Sequence, residues 1–523
     1  MKRRNFIKTT SAVASIPFFM NGLRYSAKGS PMNFAGKIPV NERVLVLINL
    51  AGGNDGLNTL IPLDQYSTLT KVRPDVIHPE NSIIKINDDL GFHSSFKGMK
   101  NLWDNEKLCM VQNVGYPLQN QSHFRSTDIW NSASDAKVYE GSGWLGRFLA
   151  LQHPEFPDTY PNQDFSDPLS ITVGYLTSNA LQGPIHSMGM AVQQIDDFTD
   201  FLTGGTDTPP DTYAGDELSF IRTLMTQTND YFHVISAASE KGRNLSSKYP
   251  VTGGRAVGLS EQLKSVAKLI DGGLKTQVYV VNLGGFDTHA SQVFDDGLTG
   301  IHATLLSQLS SAVEAFQDDL ELLGHADRVI GMTYSEFGRR IVSNASNGTD
   351  HGSAAPLFLF GNKVNPAVLG ANPVIDEQVT VQDNLPYEHD FRSIYWSVLK
   401  DWFEVDEQDL ESILFHKFDH IPLIAQGPDS VSEFELNKHL RINNIYPNPM
   451  NGHGRIEFYT DSSGLKVSIV DMKGNELKVI SNQYYSKNNY TLNISTNSLP
   501  SGAYLLQLQN NWGIRNMNFI VRK

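Results

Sequence analysis

Val44-Leu45-Val46-Leu47-Ile48-Asn49-Leu50 runs almost directly into Gly52-Gly53-Asn54-Asp55-Gly56. The first stretch is short, apolar and scarcely alternating, which is how a parallel strand buried on both faces reads. The second is a glycine-rich turn closing on a carboxylate, placed where open α/β sheets bind ligands, outside the carboxyl end of a strand. The pattern returns twice. Val278-Tyr279-Val280-Val281-Asn282-Leu283 leads into Gly284-Gly285-Phe286-Asp287-Thr288-His289. Val329-Ile330-Gly331-Met332-Thr333-Tyr334 leads into Ser335-Glu336-Phe337-Gly338-Arg339-Arg340, with Asp350-His351-Gly352 close behind. Between these two lies residues 302–323, with Leu305, Leu306, Leu309, Val313, Phe316, Leu320 and Leu323 at helical spacing. Strand, helix, strand in that order predicts an α/β domain with a mostly parallel, helix-covered sheet. Further helices are expected over 96–105, from Gly143, over 216–241 and 259–270, and over 391–403 after a last apolar run, Leu357-Phe358-Leu359-Phe360.

Carboxylates and imidazoles recurring behind strand ends are the donors a hard or borderline divalent ion takes. Asp287 and His289, two apart in an extended turn, face the same way, and Asp350-His351 adds a second such pair. The candidate metal ligands are therefore Asp55, Asp287, His289, Glu336 and His351. Asp350 is a ligand, a carboxylate orienting His351 or a turn residue. Plainer roles stand beside these: Asp55 capping its turn, Glu336 complementing a helix dipole. Ser122-His123-Phe124-Arg125-Ser126-Thr127-Asp128 follows the strand ending at Val114 and opens a helix, where free N–H groups stabilise an anion. Beside a divalent ion the Ser122 hydroxyl becomes a candidate nucleophile; its alternative role is an N-cap, with Ser126 and Thr127 as fallbacks. Arg125 and Arg339 are the candidate holders of an oxyanion, Arg339 being otherwise a solvated charge.

The two ends of the 523-residue chain differ from the body. The first 28 residues hold six basic residues and no acidic one, and Lys2-Arg3-Arg4-Asn5-Phe6-Ile7-Lys8 resembles a twin-arginine signal. The apolar stretch behind it is too short and too polar to span a bilayer, so residues 1–30 are set aside as a signal peptide. From Ile445-Tyr446-Pro447-Asn448-Pro449 onward, alternating apolar and polar residues with Gly/Asn turns predict a small β-sandwich. Its "YPNP", "SIVDMKGNEL" and "LPSGAYLLQL" motifs resemble the C-terminal sorting domain of type nine secretion. That resemblance implies a secreted or cell-surface protein reached through the periplasm, with the twin-arginine translocase and the type nine machinery as partners. The tail from Arg441 is net +5; removing it and the leader from the whole-chain −14 leaves the body at −25. Such a surface repels nucleic acid. The one cysteine, Cys109, excludes an internal disulfide framework and a thiolate cluster. The expected domains are 37–425, a linker over 426–440 and the sorting domain over 441–523.

"LINLAGGNDGLNTLIPL", "NQSHFRSTDIW", "GWLGRFL", "GGFDTH", "YSEFGRR", "NGTDHGSAAPLFLFG" and "HDFRSIYWSVLKDWF" together resemble the family called domain of unknown function 1501, which looks like a branch of the alkaline phosphatase and sulfatase superfamily. The resemblance implies an alkaline phosphatase-like fold and hydrolysis of phosphate or sulfate esters with divalent metal, zinc, manganese or calcium. The substrate class it implies is a small anionic ester or a sulfated or phosphorylated glycan. Asp55 would match the first-strand ligand, Ser122 the nucleophile, Asp287 and His289 one metal's Asp and His, and His351 the last His. Glu336-Phe337 falls where the superfamily shows Asp-His. Phe337 cannot ligate, which puts a second ion in doubt. Two functions follow: a secreted metal-dependent hydrolase with Ser122 or a metal-bound water as nucleophile, or a non-catalytic carbohydrate- or surface-binding protein that retains the fold.

Overall fold

The computed structural model describes residues 42–193, 212, 228–250, 258–425, 440–460, 463–471, 476–510 and 513–523. The expected signal peptide, the linker up to residue 439, a surface loop expected from the Thr/Gly/Asp/Pro-rich stretch 203–212 (residue 212 apart) and the first part of the 216–241 helix lie outside the described residues.

Nine strands form the body's sheet among the described residues. They are β1 (Val44–Ala51), β2 (Leu108–Gly115), β3 (Ser170–Val173), β4 (Met190–Val192), β5 (Val278–Gly284), β6 (Val329–Tyr334), β7 (Ala355–Phe360), β8 (Val368–Leu369) and β9 (His389–Asp390). Their order is β8-β2-β7-β6-β1-β5-β3-β4, with β9 also on β2. The three motif-bearing strands are central, β1 lying parallel between β5 and β6. Strand β7 departs from the parallel pattern and runs antiparallel to both its neighbours, β2 and β6.

The lack of alternation in β1 has its physical reason in two cores. Val44, Val46, Ile48 and Leu50 enter one; Leu45 and Leu47 enter the other. The first core is closed by α1 (Lys97–Asp104), α4 (Leu259–Asp271) and α5 (Ile301–Leu323), whose Leu305, Leu306, Leu309, Val313, Phe316 and Leu320 are buried as their spacing predicts. The second is closed by α2 (His123–Ser132), α3 (Trp144–Gln152) and α6 (Phe391–Ser397), through Trp130, Trp144, Phe148 and Tyr395. The fold is mixed α/β with a mostly parallel, helix-covered sheet.

The C-terminal strands form antiparallel sheets: β10 (Leu440–Asn451), β11 (His453–Thr460), β12 (Ser463–Val470), β13 (Glu476–Tyr485), β14 (Asn488–Ser495), β15 (Gly502–Asn510) and β16 (Gly513–Val521). β10-β11-β14 and β13-β12-β15-β16 are antiparallel throughout, and one parallel bridge, Met450 to Val521, links them. Alternate residues such as Leu465, Val467 and Ile469, or Leu506 and Leu508, fill their shared core. No helix among the described residues is long and apolar enough to cross a membrane.

Four histidines are buried in the body among the described residues, His78, His93, His153 and His302, and burial shifts the last three furthest. Burial pushes His93 down to about 2, with His78 and His302 adding to the effect. Burial likewise holds His302 at about 4 against the opposing pull of Asp55, and His153 at about 4. Each stays neutral in the folded chain while its unfolded counterpart takes a proton below about 6.5. Their contribution is therefore complete above pH 6.5 and is lost as pH falls toward 4. The slope approaches about 1.4 kcal/mol per pH unit for each near pH 5. Urea unfolding midpoints between pH 7 and 4.5 check this; a flat profile would mean the imidazoles are protonated in place.

Candidate metal centre

Strand direction brings the acidic clusters together. β1, β5 and β6 are parallel neighbours, so Ala51, Gly284 and Tyr334 end on one edge of the sheet. Because β7 runs the other way, it starts at that same edge, and Asp350 and His351 arrive there just before it. β2 also ends there, at Gly115, and the chain then crosses 116–122 to His123 at the start of α2. Gly52 and Gly53 have φ of +125° and +88°. A Cβ on Gly52 would stand 2.2 Å from the Asp287 nitrogen, and one on Gly53 2.5 Å from the Phe337 ring. Only glycine lets this turn pass under the two later loops.

Asp287 is the focus. Its Oδ1 lies 2.8 Å from His289 Nδ1 and 3.0 Å from His351 Nε2, and accepts from Arg339 Nη2 at 2.7 Å; its Oδ2 is 3.4 Å from His123 Nε2. Partial burial would raise its pKa, but the Arg339 guanidinium, and the His351 ring when a proton lies on Nε2, outweigh that and hold it well below the usual carboxylate range. Burial lowers His289, with Arg339 and His351 adding to the shift and Asp287 opposing it.

The outer nitrogens fix the tautomers. His351 Nδ1 lies 2.8 Å from the Gln121 carbonyl, and His123 Nδ1 lies 2.8 Å from Glu336 Oε1. Both partners can only accept, so each Nδ1 carries the hydrogen, and in the neutral ring each Nε2 is a bare lone pair, that of His351 directed at the Asp287 carboxylate and that of His123 3.4 Å from it. Lone pairs facing a carboxylate need a cation between them, a proton or a metal. An imidazole held through Nδ1–H by an outer oxygen is how metal-binding histidines are oriented. The ligand atoms of His123, Asp287 and His351 lie within 4.8 Å of one another. Tetrahedral donors at about 2.0–2.1 Å from zinc stand about 3.3 Å apart. The residues present fit one divalent ion.

The expected ligands divide. Asp287, His289 and His351 come together. Glu336 is buried behind His123: Oε1 accepts from Gly52 N–H at 2.8 Å as well as from His123, and Oε2 has no hydrogen-bond partner among the described residues. Asp55 does not reach the cluster; its Oδ2 is taken by Arg73, a side chain with no exposure, and by Gln292 Nε2 at 2.5 Å. Ser122 is exposed beside His123, and its hydroxyl makes no cap bond. Ser126 is buried between the Tyr116 hydroxyl and the Glu336 carbonyl.

Neither candidate oxyanion arginine offers a free fork. Arg339 is buried and donates to the carbonyls of Gly52, Gly53, Phe286 and Thr349 besides Asp287. Arg125 turns to Asp128 and the carbonyls of Asp135, Ala136 and Val138, under the Tyr139 ring. Phe337 is buried, its ring 4.6 Å from His351 and 5.0 Å from His123. Sequence reasoning missed His123, although it lies inside the quoted Ser122 motif. It is the first residue of a helix after a strand end, the same address that singled out its neighbour.

Residues 269–391 match the family described as "Protein of unknown function (DUF1501)". Residues 444–522 match the "Secretion system C-terminal sorting domain". No curated protein matches significantly. Among solved structures, a protein of the alkaline phosphatase superfamily from Vibrio parahaemolyticus is 8% identical at a TM-score of 0.34, over 88% of this chain and 81% of that one. The PsFucS1 sulfatase from Pseudoalteromonas sp. is 11% identical at 0.31, over 87% and 84%. The putative sulfatase yidJ from Bacteroides fragilis is 9% identical at 0.32, over 90% and 92%. The chain thus carries a DUF1501 region through the strands and loops that hold Asp287, His289 and His351, followed by a secretion system C-terminal sorting domain.

Proposed function

We propose that this protein is an exported hydrolase of phosphate or sulfate esters that works with a single divalent ion held by His123, Asp287 and His351, with His289 alongside. The observation that carries this reading is two imidazole Nε2 atoms at 3.0 and 3.4 Å from one carboxylate, each ring pinned from behind by an oxygen. An ion in that position supplies Lewis-acid polarisation of an ester oxygen and eases deprotonation of a hydroxyl or water. Asp287 contributes the charge, and Arg339 fixes its rotamer. Glu336 holds the His123 ring and keeps its tautomer. Ser122, exposed one residue away, is the proposed nucleophile, with water taking that part if Ser122 only shapes the helix start. With Arg125 and Arg339 committed to the scaffold, the ion and the imidazoles are left to meet the oxyanion.

The sorting domain indicates a secreted or outer-surface protein. In this reading the leader directs it to the twin-arginine translocase and the tail to the type nine machinery. Substrates are small anionic esters or sulfated or phosphorylated glycans met outside the cell. Phe337 favours a second reading: its buried ring fills space beside His123 and His351, as in a non-catalytic glycan- or surface-binding protein on the same fold.

Elemental analysis of purified protein, then a panel of chromogenic phosphate, phosphodiester and sulfate esters with zinc, manganese or calcium, separates the two. We expect bound metal near one equivalent and hydrolysis that a chelator removes. Metal-free protein that gains no thermal stability from any of the three ions would sink the hydrolase reading.

A further inference from the structure

We infer that Gln292 is a positioning residue: its buried carboxamide ties together the two loops that carry the site, and Asp55 sets which way that carboxamide points. Gln292 has no exposed surface. Its Oε1 accepts from the Thr288 hydroxyl at 3.0 Å and from the Thr349 hydroxyl at 2.6 Å. Thr288 lies between Asp287 and His289; Thr349 is two residues before His351. A single acceptor oxygen thus joins the loop after β5 to the loop before β7, with main-chain support from Thr349 N–H to the Thr288 carbonyl at 3.1 Å.

An amide is symmetric in shape, and only its partners decide which end is oxygen. Here Asp55 decides. Its carboxylate can only accept, so it takes Nε2 at 2.5 Å and leaves Oε1 for the two threonines. Arg73 in turn fixes the Asp55 carboxylate, and both are buried to about 1% or less. The backbone of Gln292 is held as well, its N–H on the Asn347 carbonyl at 2.9 Å and its carbonyl on His302 N–H at 3.2 Å. The side chain is therefore a fixed post, not a flexible tether. Asp55, at the first motif strand, serves the site through this post instead of reaching it. Outer partners of this kind change metal affinity about 10–100-fold when removed.

The claim rests on the proposed metal site only for its affinity arm, so the test has two. Hydrogen exchange by mass spectrometry on the metal-free full-length protein reads the loops directly, and titration with zinc ion reads the ligands. Gln292→Ala should speed exchange over both 286–292 and 344–352 while sparing β1 and β5, and should weaken zinc binding at least about tenfold. If that variant does not fold, Thr349→Val removes one arm at nearly constant volume and should speed exchange in the 344–352 loop. Gln292→Glu should behave as Gln292→Ala, since two carboxylates would then face each other. Asp55→Asn combined with Gln292→Glu exchanges amide and carboxylate and should recover most of the lost protection, which a merely space-filling role would not do. Unchanged exchange in the two loops of Gln292→Ala, or faster exchange with zinc affinity intact, overturns the proposal. If the native protein takes no zinc yet the exchange pattern and its rescue appear, the clamp stands and the metal reading falls.

Discussion

Asp287→Ala is expected to lower zinc affinity by more than about 100-fold, beyond what loss of an outer partner does, and to remove chelator-sensitive hydrolysis altogether. The groups paired with its oxygens are three imidazoles and a guanidinium, so this carboxylate supplies the negative charge they share. The effect on folding is not negligible. The variant leaves the buried Arg339 with its four carbonyl acceptors but without its counter-charge, a loss of about 1–3 kcal/mol. Isothermal titration with zinc and urea unfolding check the two parts separately. Retained zinc binding would place the ion elsewhere.

Asp55→Ala should do the opposite: its main effect is on stability, about 3–5 kcal/mol, as expected when one partner of a buried ion pair is removed. Arg73 has no exposed surface, and its Nε and Nη1 have no hydrogen-bond partner among the described residues, so nothing is at hand to replace Asp55. The urea midpoint should fall accordingly, and Asp55→Asn should recover only part of it because an amide carries no charge. A loss below about 1 kcal/mol would show that the pair is not the structural unit described.

The strands and helices that build the site were legible because their residues obey short-range rules. β1, β5 and β6 read as buried parallel strands from unbroken apolar runs, and α5 from its 3.6-residue period. Asp287 and His289 were legible because they follow a glycine-marked strand end, and His351 because it stands in a second Asp-His pair beside a glycine. The direction of β7 was not, since an apolar hexamer carries no arrow; what turned it was the hairpin-like return of 335–354 to the edge it left. Nor was the fate of Asp55. A carboxylate in a glycine-rich turn looks the same whether it faces solvent, an ion or an arginine eighteen residues on, and Arg73 has no motif of its own. Gln292 was invisible for a related reason: a lone glutamine announces nothing until two threonines from distant segments close on it.

Arg339 has one more consequence, for how the centre is loaded. Its guanidinium draws Gly52, Gly53, Phe286, Asp287 and Thr349 onto a single planar group. The cradle is thus preorganised by an internal cation instead of by the incoming one. In small zinc modules, by contrast, ion uptake and folding are the same event. Here stripping the ion should leave an intact receptacle, and refilling it should be rapid and repeatable, with no ordering of the chain to wait for.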